Sequence, residues 1–158
     1  MANAFALFTP EGERRWAQGW EPAYVHPADG HAEPDMVFTT SHGGEETLWM
    51  MTRHEPAAGI VEYARVTPGS RTARVLVQCT ALAPQRTRVT VIYVLTGLTE
   101  AGNAYVRQMD DAAYRDYIDS WRDAIAKIAR ASGRGSSRRP PRGRRASRAR
   151  RSSRARAR

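Results

Sequence analysis

The chain has 158 residues and a formal net charge of +9, and its length suits one domain and a tail. Residues 1–132 hold all 16 acidic residues against 12 Arg and one Lys, a net charge of −3, whereas residues 133–158 hold 12 Arg and no acid. The single cysteine, Cys79, excludes an intrachain disulfide and a cysteine-based metal framework, and no apolar run of about 18 residues is present to span a membrane.

Two short helices are expected at the N-terminus. Residues 3–8 are mostly apolar, and Thr9 can cap the following helix, with Pro10 at its first position and acidic residues in its first turn. That helix should run to about Ala17 and be closed by Gly19. No basic segment precedes the apolar residues, as it would in a secretion signal, so a cytoplasmic protein is expected.

The middle of the chain predicts six strands, at residues 24–27, 36–41, 47–54, 60–67, 72–82 and 87–96. Their starts are about 10 to 14 residues apart and turn-forming residues separate them, which favours antiparallel strands laid side by side in a meander. The last two strands alternate most clearly. Val75, Val77 and Cys79 share one face of the first of them, and Val91 and Tyr93 share one face of the second.

The strongest helical signal lies in residues 98–131. Thr99 is the expected N-cap, although Gly102 weakens the first turn, and Asp110 and Asp111 either kink the helix or begin a new one. Gly133 is expected to end it. Beyond Asp111, apolar residues recur at steps of four and three, which places them on one helix face: Tyr114, Ile118, Trp121, Ile125 and Ile128.

Residues 133–158 contain only Gly, Arg, Ser, Pro and Ala, and we expect them to form a disordered tail because they cannot bury enough apolar surface to offset the entropy of ordering. The folded domain should therefore comprise residues 1–132. The tail either has no function or binds nucleic acid by charge alone, without sequence preference, because it has no aromatic residue to stack on bases. The residues proposed for this contact are Arg138, Arg139, Arg142, Arg144, Arg145, Arg148, Arg150 and Arg151.

Several segments resemble polyketide-cyclase-like proteins of the START/Bet v 1 superfamily, often called SRPBCC. They are LFTPEGERRW at residues 7–16, GWEP at residues 19–22, VFTT at residues 37–40, RVTV at residues 88–91 and LTEAGN at residues 98–103. The resemblance covers about residues 3–130 and contains no catalytic motif. It implies an α+β helix-grip fold, in which a curved antiparallel sheet wraps around a long C-terminal helix and two short helices lie at the N-terminus.

The sequence departs from this family at its start. Members usually have a strand before the first short helix, and this chain begins at the helix. If the strand is absent, its neighbour in the sheet has an unpaired edge. We therefore expect either lower stability than in complete members or a homodimer that covers the edge.

The resemblance also implies an apolar cavity between the sheet and the long helix, and ligand pockets are themselves largely apolar. The alternative for each candidate is an ordinary core position, with hydroxyl groups bonded to the backbone. The candidate lining residues are Trp49, Met51, Tyr63, Cys79, Val91, Tyr93, Tyr114, Tyr117 and Trp121.

Other reactive side chains give weaker signals. The four histidines lie in or beside loops. His26 and His31, with the acids near them at Asp29, Glu33 and Asp35, could make a loop metal site, and the alternative is that these side chains are simply solvated. Cys79 has no cation or helix N-terminus near it in the sequence to activate it. Glu62 and Arg65 lie on opposite faces of one strand, so they cannot both point into a cavity.

The expected function is binding of a small hydrophobic or aromatic ligand between the sheet and the C-terminal helix, without a cofactor or a metal. One alternative is a polyketide cyclase or dehydratase type of enzyme acting on such a ligand. Others are a co-chaperone-like interaction module, because a chaperone-ATPase activator domain shares this fold, and tethering of nucleic acid by the tail. A cavity-facing ionisable residue with a shifted pKa would favour the enzyme, and a cavity filled by its own side chains would favour the interaction module.

Overall fold

A computed structural model describes residues 1–135 of the chain, which form an α+β structure. The short N-terminal helices, the curved antiparallel sheet and the C-terminal helix occur in the expected order. The proposed Arg contacts at positions 138–151 lie outside the described residues. No helix in the described part of the chain is both long and apolar enough to cross a membrane.

The N-terminal helices are shorter than expected. Helix α1 spans Ala2–Phe5, a 3-10 turn follows at Ala6–Phe8, and α2 spans Pro10–Glu13. The side chain of Thr9 accepts a hydrogen bond from the Gly12 amide, which confirms it as the cap of α2. The chain continues beyond Glu13 in turns rather than as a helix to Ala17.

Six strands form one antiparallel sheet in the order β1-β2-β3-β4-β5-β6, which confirms the predicted meander. Strands β1 and β6 are its edges within the described residues. The meander is local because each strand pairs with the next one in the chain. Short turns make the connections from β2 onward, and a longer loop of residues 27–36 joins β1 to β2. The bounds are Ala23–His26, Val37–His42, Glu45–Glu55, Ile60–Thr67, Arg71–Ala83 and Arg86–Gly97 for β1 to β6.

The core lies on the inner face of this sheet. Side chains alternate between buried and exposed along β3, β4 and β5, as one covered face requires. Trp16 and both phenylalanines of the N-terminal segment, Phe5 and Phe8, complete this core. The buried strand residues include Phe38, Trp49, Met51, Val61, Tyr63, Val75, Val77 and Cys79.

The C-terminal helical region is divided into two helices. Helix α3 spans Glu100–Gln108 and α4 spans Asp111–Gly135, with the break at Met109 and Asp110. Thr99 caps α3 by accepting a hydrogen bond from the Gly102 amide, as expected. The carboxylate of Asp110 accepts hydrogen bonds from the amides of Ala112 and Ala113, in the first turn of α4. Asp110 therefore caps the start of the second helix. Helix α4 passes Gly133 and reaches Gly135, the last described residue.

Candidate functional site

A cavity of about 920 Å³ lies between the inner face of the sheet, the segment after α2, and helices α3 and α4. This volume is at the upper end of the range typical of small-molecule pockets, roughly 300–1,000 Å³. Helix α4 meets the rest of the protein through large side chains. Trp121 lies 5.3 Å from Trp16 between ring centroids, and the Tyr114 hydroxyl donates to the Val91 carbonyl at 2.7 Å. Large side chains at these points leave the space beside them unfilled.

Six of the nine candidate lining residues face this cavity: Trp49, Tyr63, Tyr93, Tyr114, Tyr117 and Trp121. The other three lie elsewhere. Met51 and Cys79 are almost completely buried in the core, and Val91 packs against that core and offers its carbonyl to Tyr114. Burial raises the pKa of the Cys79 thiol, which does not favour a reactive thiolate.

The tyrosine hydroxyls divide into two groups. The Tyr63 hydroxyl donates to the Phe8 carbonyl at 2.8 Å and the Tyr114 hydroxyl donates to the Val91 carbonyl, so both of these support the fold. Tyr93 and Tyr117 pack edge to face, with ring centroids 6.2 Å apart, and in the described residues no backbone carbonyl accepts from either hydroxyl. Burial raises the pKa of both phenols, so both remain neutral hydrogen-bonding groups.

Tryptophans form the rest of the aromatic wall, and their polar edges are bonded. The indole N–H of Trp16 donates to the Leu7 carbonyl at 2.7 Å, and that of Trp20 to the Pro10 carbonyl at 2.9 Å. The indole of Trp49 donates to the Thr40 hydroxyl. These bonds fix the ring orientations and leave the ring faces and edges to contact a ligand.

One charged residue of the cavity, Glu13, was missed by the sequence analysis. It lies at the end of α2, lines the cavity, and its carboxyl makes no hydrogen bond or ion pair with any other described residue. Burial raises its pKa well above the ordinary value of 4.5. The part of Glu13 that remains accessible faces the cavity. Its negative charge, when present, contributes to raising the pKa of Tyr63, Tyr93 and Tyr117.

The geometry of α2 explains why Glu13 points inward. Glu11 and Glu13 are two residues apart, and two helical steps of about 100° place their side chains on opposite sides of the helix. Glu11 is on the outer side, where it pairs with Arg14 and accepts from the Tyr24 hydroxyl. The sequence contained this spacing, but the sequence analysis considered both acids only as favourable charges in the first turn of a capped helix.

A second charged residue of the cavity is Arg65, on the inner face of β4. Its guanidinium carbon lies 5.0 Å from the ring centroid of Trp49 and 5.5 Å from that of Tyr93. Each cation–π contact of this kind contributes about 0.5–2 kcal/mol. Glu62 lies on the opposite face of β4 from Arg65 and pairs with the exposed Arg74 at 3.5 Å.

The histidines do not form a metal centre in the described part of the chain, where no group of three or more His, Cys, Asp or Glu is arranged to hold a metal ion. His31 and His54 instead border a second, mostly apolar pocket of about 360 Å³ beside α1. The His54 ring lies 5.5 Å from Phe5, and its pKa is lowered first by burial and then by the charge of His31.

Comparisons of the chain with protein-family models, with curated proteins and with solved structures found no match in any of the three.

Proposed function

We propose that this protein binds a small aromatic or apolar molecule in the cavity between its sheet and α4. The observation that carries the proposal is the cavity of about 920 Å³, which large aromatic side chains surround without filling. The cavity is partly open to solvent, so a ligand could enter it from one side. Its size and its mainly aromatic and apolar lining are those of a small-molecule site, in which a few polar groups orient the ligand.

The proposal includes membership of the polyketide-cyclase-like branch with a helix-grip fold, as the sequence resemblance suggests. The order of elements supports it: short N-terminal helices, an antiparallel meander and a long C-terminal helix. An unfilled cavity gives less support to a co-chaperone-like interaction module, which would not need an internal site.

Filling the cavity should abolish binding of a neutral aromatic probe. We expect the full chain to bind one equivalent of N-phenyl-1-naphthylamine, measured as the rise in dye fluorescence. Ala124→Trp, on the cavity side of α4, should weaken this binding by about tenfold or more because the new indole occupies the ligand volume.

The matched control is Asp116→Trp, which adds the same ring to the exposed side of α4 and should leave binding unchanged. Circular dichroism must show that both variants are folded. Equal binding by wild type and folded Ala124→Trp would contradict the proposal. Native mass spectrometry of the purified protein would then identify any small molecule that it carries.

A second candidate function is an enzyme of the cyclase or dehydratase type, and Glu13 is the observation that favours it. A carboxyl with a raised pKa keeps its proton to a higher pH than an ordinary carboxyl, so it can donate a proton to a ligand carbonyl, and its carboxylate form is a base for an acidic C–H bond. Its lack of a protein partner leaves it available for this role.

Proton exchange tests this candidate without knowledge of the natural substrate. We expect wild type to accelerate exchange of the methyl protons of 2-acetonaphthone with D₂O, followed by NMR, by about 100-fold or more over buffer. Glu13→Gln should lose the acceleration but still bind the neutral dye. Equal exchange rates for wild type and Glu13→Gln would exclude Glu13 as the proton-transferring group.

A further inference from the structure

The guanidinium of Arg65 places a positive charge on the inner face of the sheet, where it lines the cavity. Arg65 lies on β4, directly opposite Trp49 on β3 and Ala73 on β5. The side chain of Trp49 covers the guanidinium from one side, and Tyr93 contacts it from farther along the sheet. The small side chain of Ala73 leaves the remaining side less obstructed.

The guanidinium of Arg65 has no acidic partner among the described residues, where it takes part in no ion pair and donates no side-chain hydrogen bond. Its contacts there are with the rings of Trp49 and Tyr93. Its charge contributes slightly to lowering the pKa of Glu45. Both oxygens of that carboxylate already accept hydrogen bonds from Arg71, at 3.1 and 2.8 Å.

Arg71, by contrast, is paired with a carboxylate and a hydroxyl, although its buried Nε has no hydrogen-bond partner among the described residues. It is buried at the start of β5, where it binds Glu45 and donates to the Ser70 hydroxyl. Its guanidinium carbon also lies 3.8 Å from the ring centroid of Tyr105. Arg65 has the aromatic contacts but neither the carboxylate nor the hydroxyl. The N–H groups of Arg65 are therefore available to an anion that enters the cavity.

The flanking rings favour a planar anion. Arginine presents its N–H groups as a planar fork that matches a carboxylate with two parallel hydrogen bonds. Trp49 and Tyr93 lie beside the guanidinium and accept no hydrogen bond from it, so its N–H groups remain available to a ligand in the cavity. An aromatic ring attached to the carboxylate would lie against the aromatic wall. Glu13 opposes this arrangement less than an ordinary carboxyl would, because burial raises its pKa and favours its neutral form.

We infer that the ligand is an aromatic carboxylate, and that Arg65 binds its carboxylate through a two-bond contact while the ring lies among the cavity aromatics. This inference rests on the proposed ligand-binding function and adds the chemical class of the ligand. It assigns Arg65 as the residue that selects anionic over neutral aromatic molecules.

The test compares two probes of similar shape and different charge, 2-naphthoate and the neutral 2-acetonaphthone, by isothermal titration calorimetry on the full chain at about pH 7. We expect wild type to bind naphthoate about tenfold or more tighter, because hydrogen bonds between charged groups are the strong ones. Arg65→Met should remove this preference, so that the ratio of the affinities for the two probes falls to about one. Arg65→Lys should retain part of the preference, because lysine keeps the positive charge but cannot form the two parallel hydrogen bonds of a guanidinium.

The control is Arg74→Met, which removes an exposed arginine on the outer face of the sheet and should keep the full preference. All variants carry the same arginine-rich tail, so anion binding there cancels in the comparison. Equal affinity of wild type for the two probes overturns the inference and leaves cavity binding intact. A naphthoate preference that survives in Arg65→Met also overturns it. If wild type binds neither the neutral dye nor either naphthalene probe, the result contradicts the proposed function itself.

Discussion

Gly102→Ala should destabilise the protein by about 3 kcal/mol or more, although the same change in an isolated helix would stabilise it by about 1 kcal/mol. A Cβ at this position would overlap the carbonyl oxygen of Ser70 and crowd its carbon. Backbone atoms cannot rotate away as a flexible side chain does. Helix α3 would have to move off the β4–β5 turn.

The turn itself is held in place, which makes relaxation costly. The Ser70 carbonyl accepts a hydrogen bond from the Leu98 amide at 2.8 Å, and the Thr99 hydroxyl donates to the Gly69 carbonyl at 3.0 Å. Chemical denaturation followed by circular dichroism measures the loss. Gln108→Ala, an exposed site in the same helix, is the control and should change stability by no more than about 0.5 kcal/mol. A Gly102→Ala variant as stable as wild type would mean that α3 does not dock on this turn.

Glu13→Gln should become more stable than wild type as the pH rises, because it removes a carboxyl whose ionisation folding opposes. Burial raises the pKa of Glu13 in the folded state above 4.5, so the folded state holds a proton that the unfolded state has released. Below that pH both states are protonated and the residue costs no ionisation energy. Between 4.5 and the folded pKa, the stability of wild type falls by up to about 1.4 kcal/mol per pH unit.

The measurement is the free energy of unfolding of both proteins from about pH 4 to 9. The difference between variant and wild type should be smallest at the acidic end, grow through the neutral range, and level off above the folded pKa. Glu46→Gln removes an exposed carboxylate from β3, and its curve should run parallel to that of wild type. A constant difference between Glu13→Gln and wild type at every pH would place Glu13 in solvent rather than in the cavity.

The two results would also inform function. In its protonated form, which burial favours, Glu13 can donate to a ligand carbonyl and tolerate a carboxylate on Arg65. Loss of dye binding in parallel with the ionisation of Glu13 would show that the two share one site. The pH profile therefore connects the stability measurement with the proton-exchange experiment.

The sequence by itself determined the elements and their order. Strand bounds agree within a few residues at every strand, because alternation and turn residues are local properties. The caps at Thr9 and Thr99 were readable for the same reason, since a cap depends on amides two or three residues away. The pairing of consecutive strands also followed, because short turns leave few other arrangements.

Only the tertiary structure decided which inward positions meet the cavity and which meet the core. Alternation identified the face of Cys79 and Tyr93 equally well, yet Cys79 is closed off in the core and Tyr93 lines the cavity. The difference depends on what packs above each position, and that segment is far away in the chain. Gly102 is a second case. Helix propensity considers only the helix that contains it, whereas the Ser70 carbonyl decides whether Gly102→Ala stabilises or destabilises the protein. Glu13 and Arg65 became a site only when distant strands and helices enclosed them, because enclosure is what shifts a pKa and removes a charge from water.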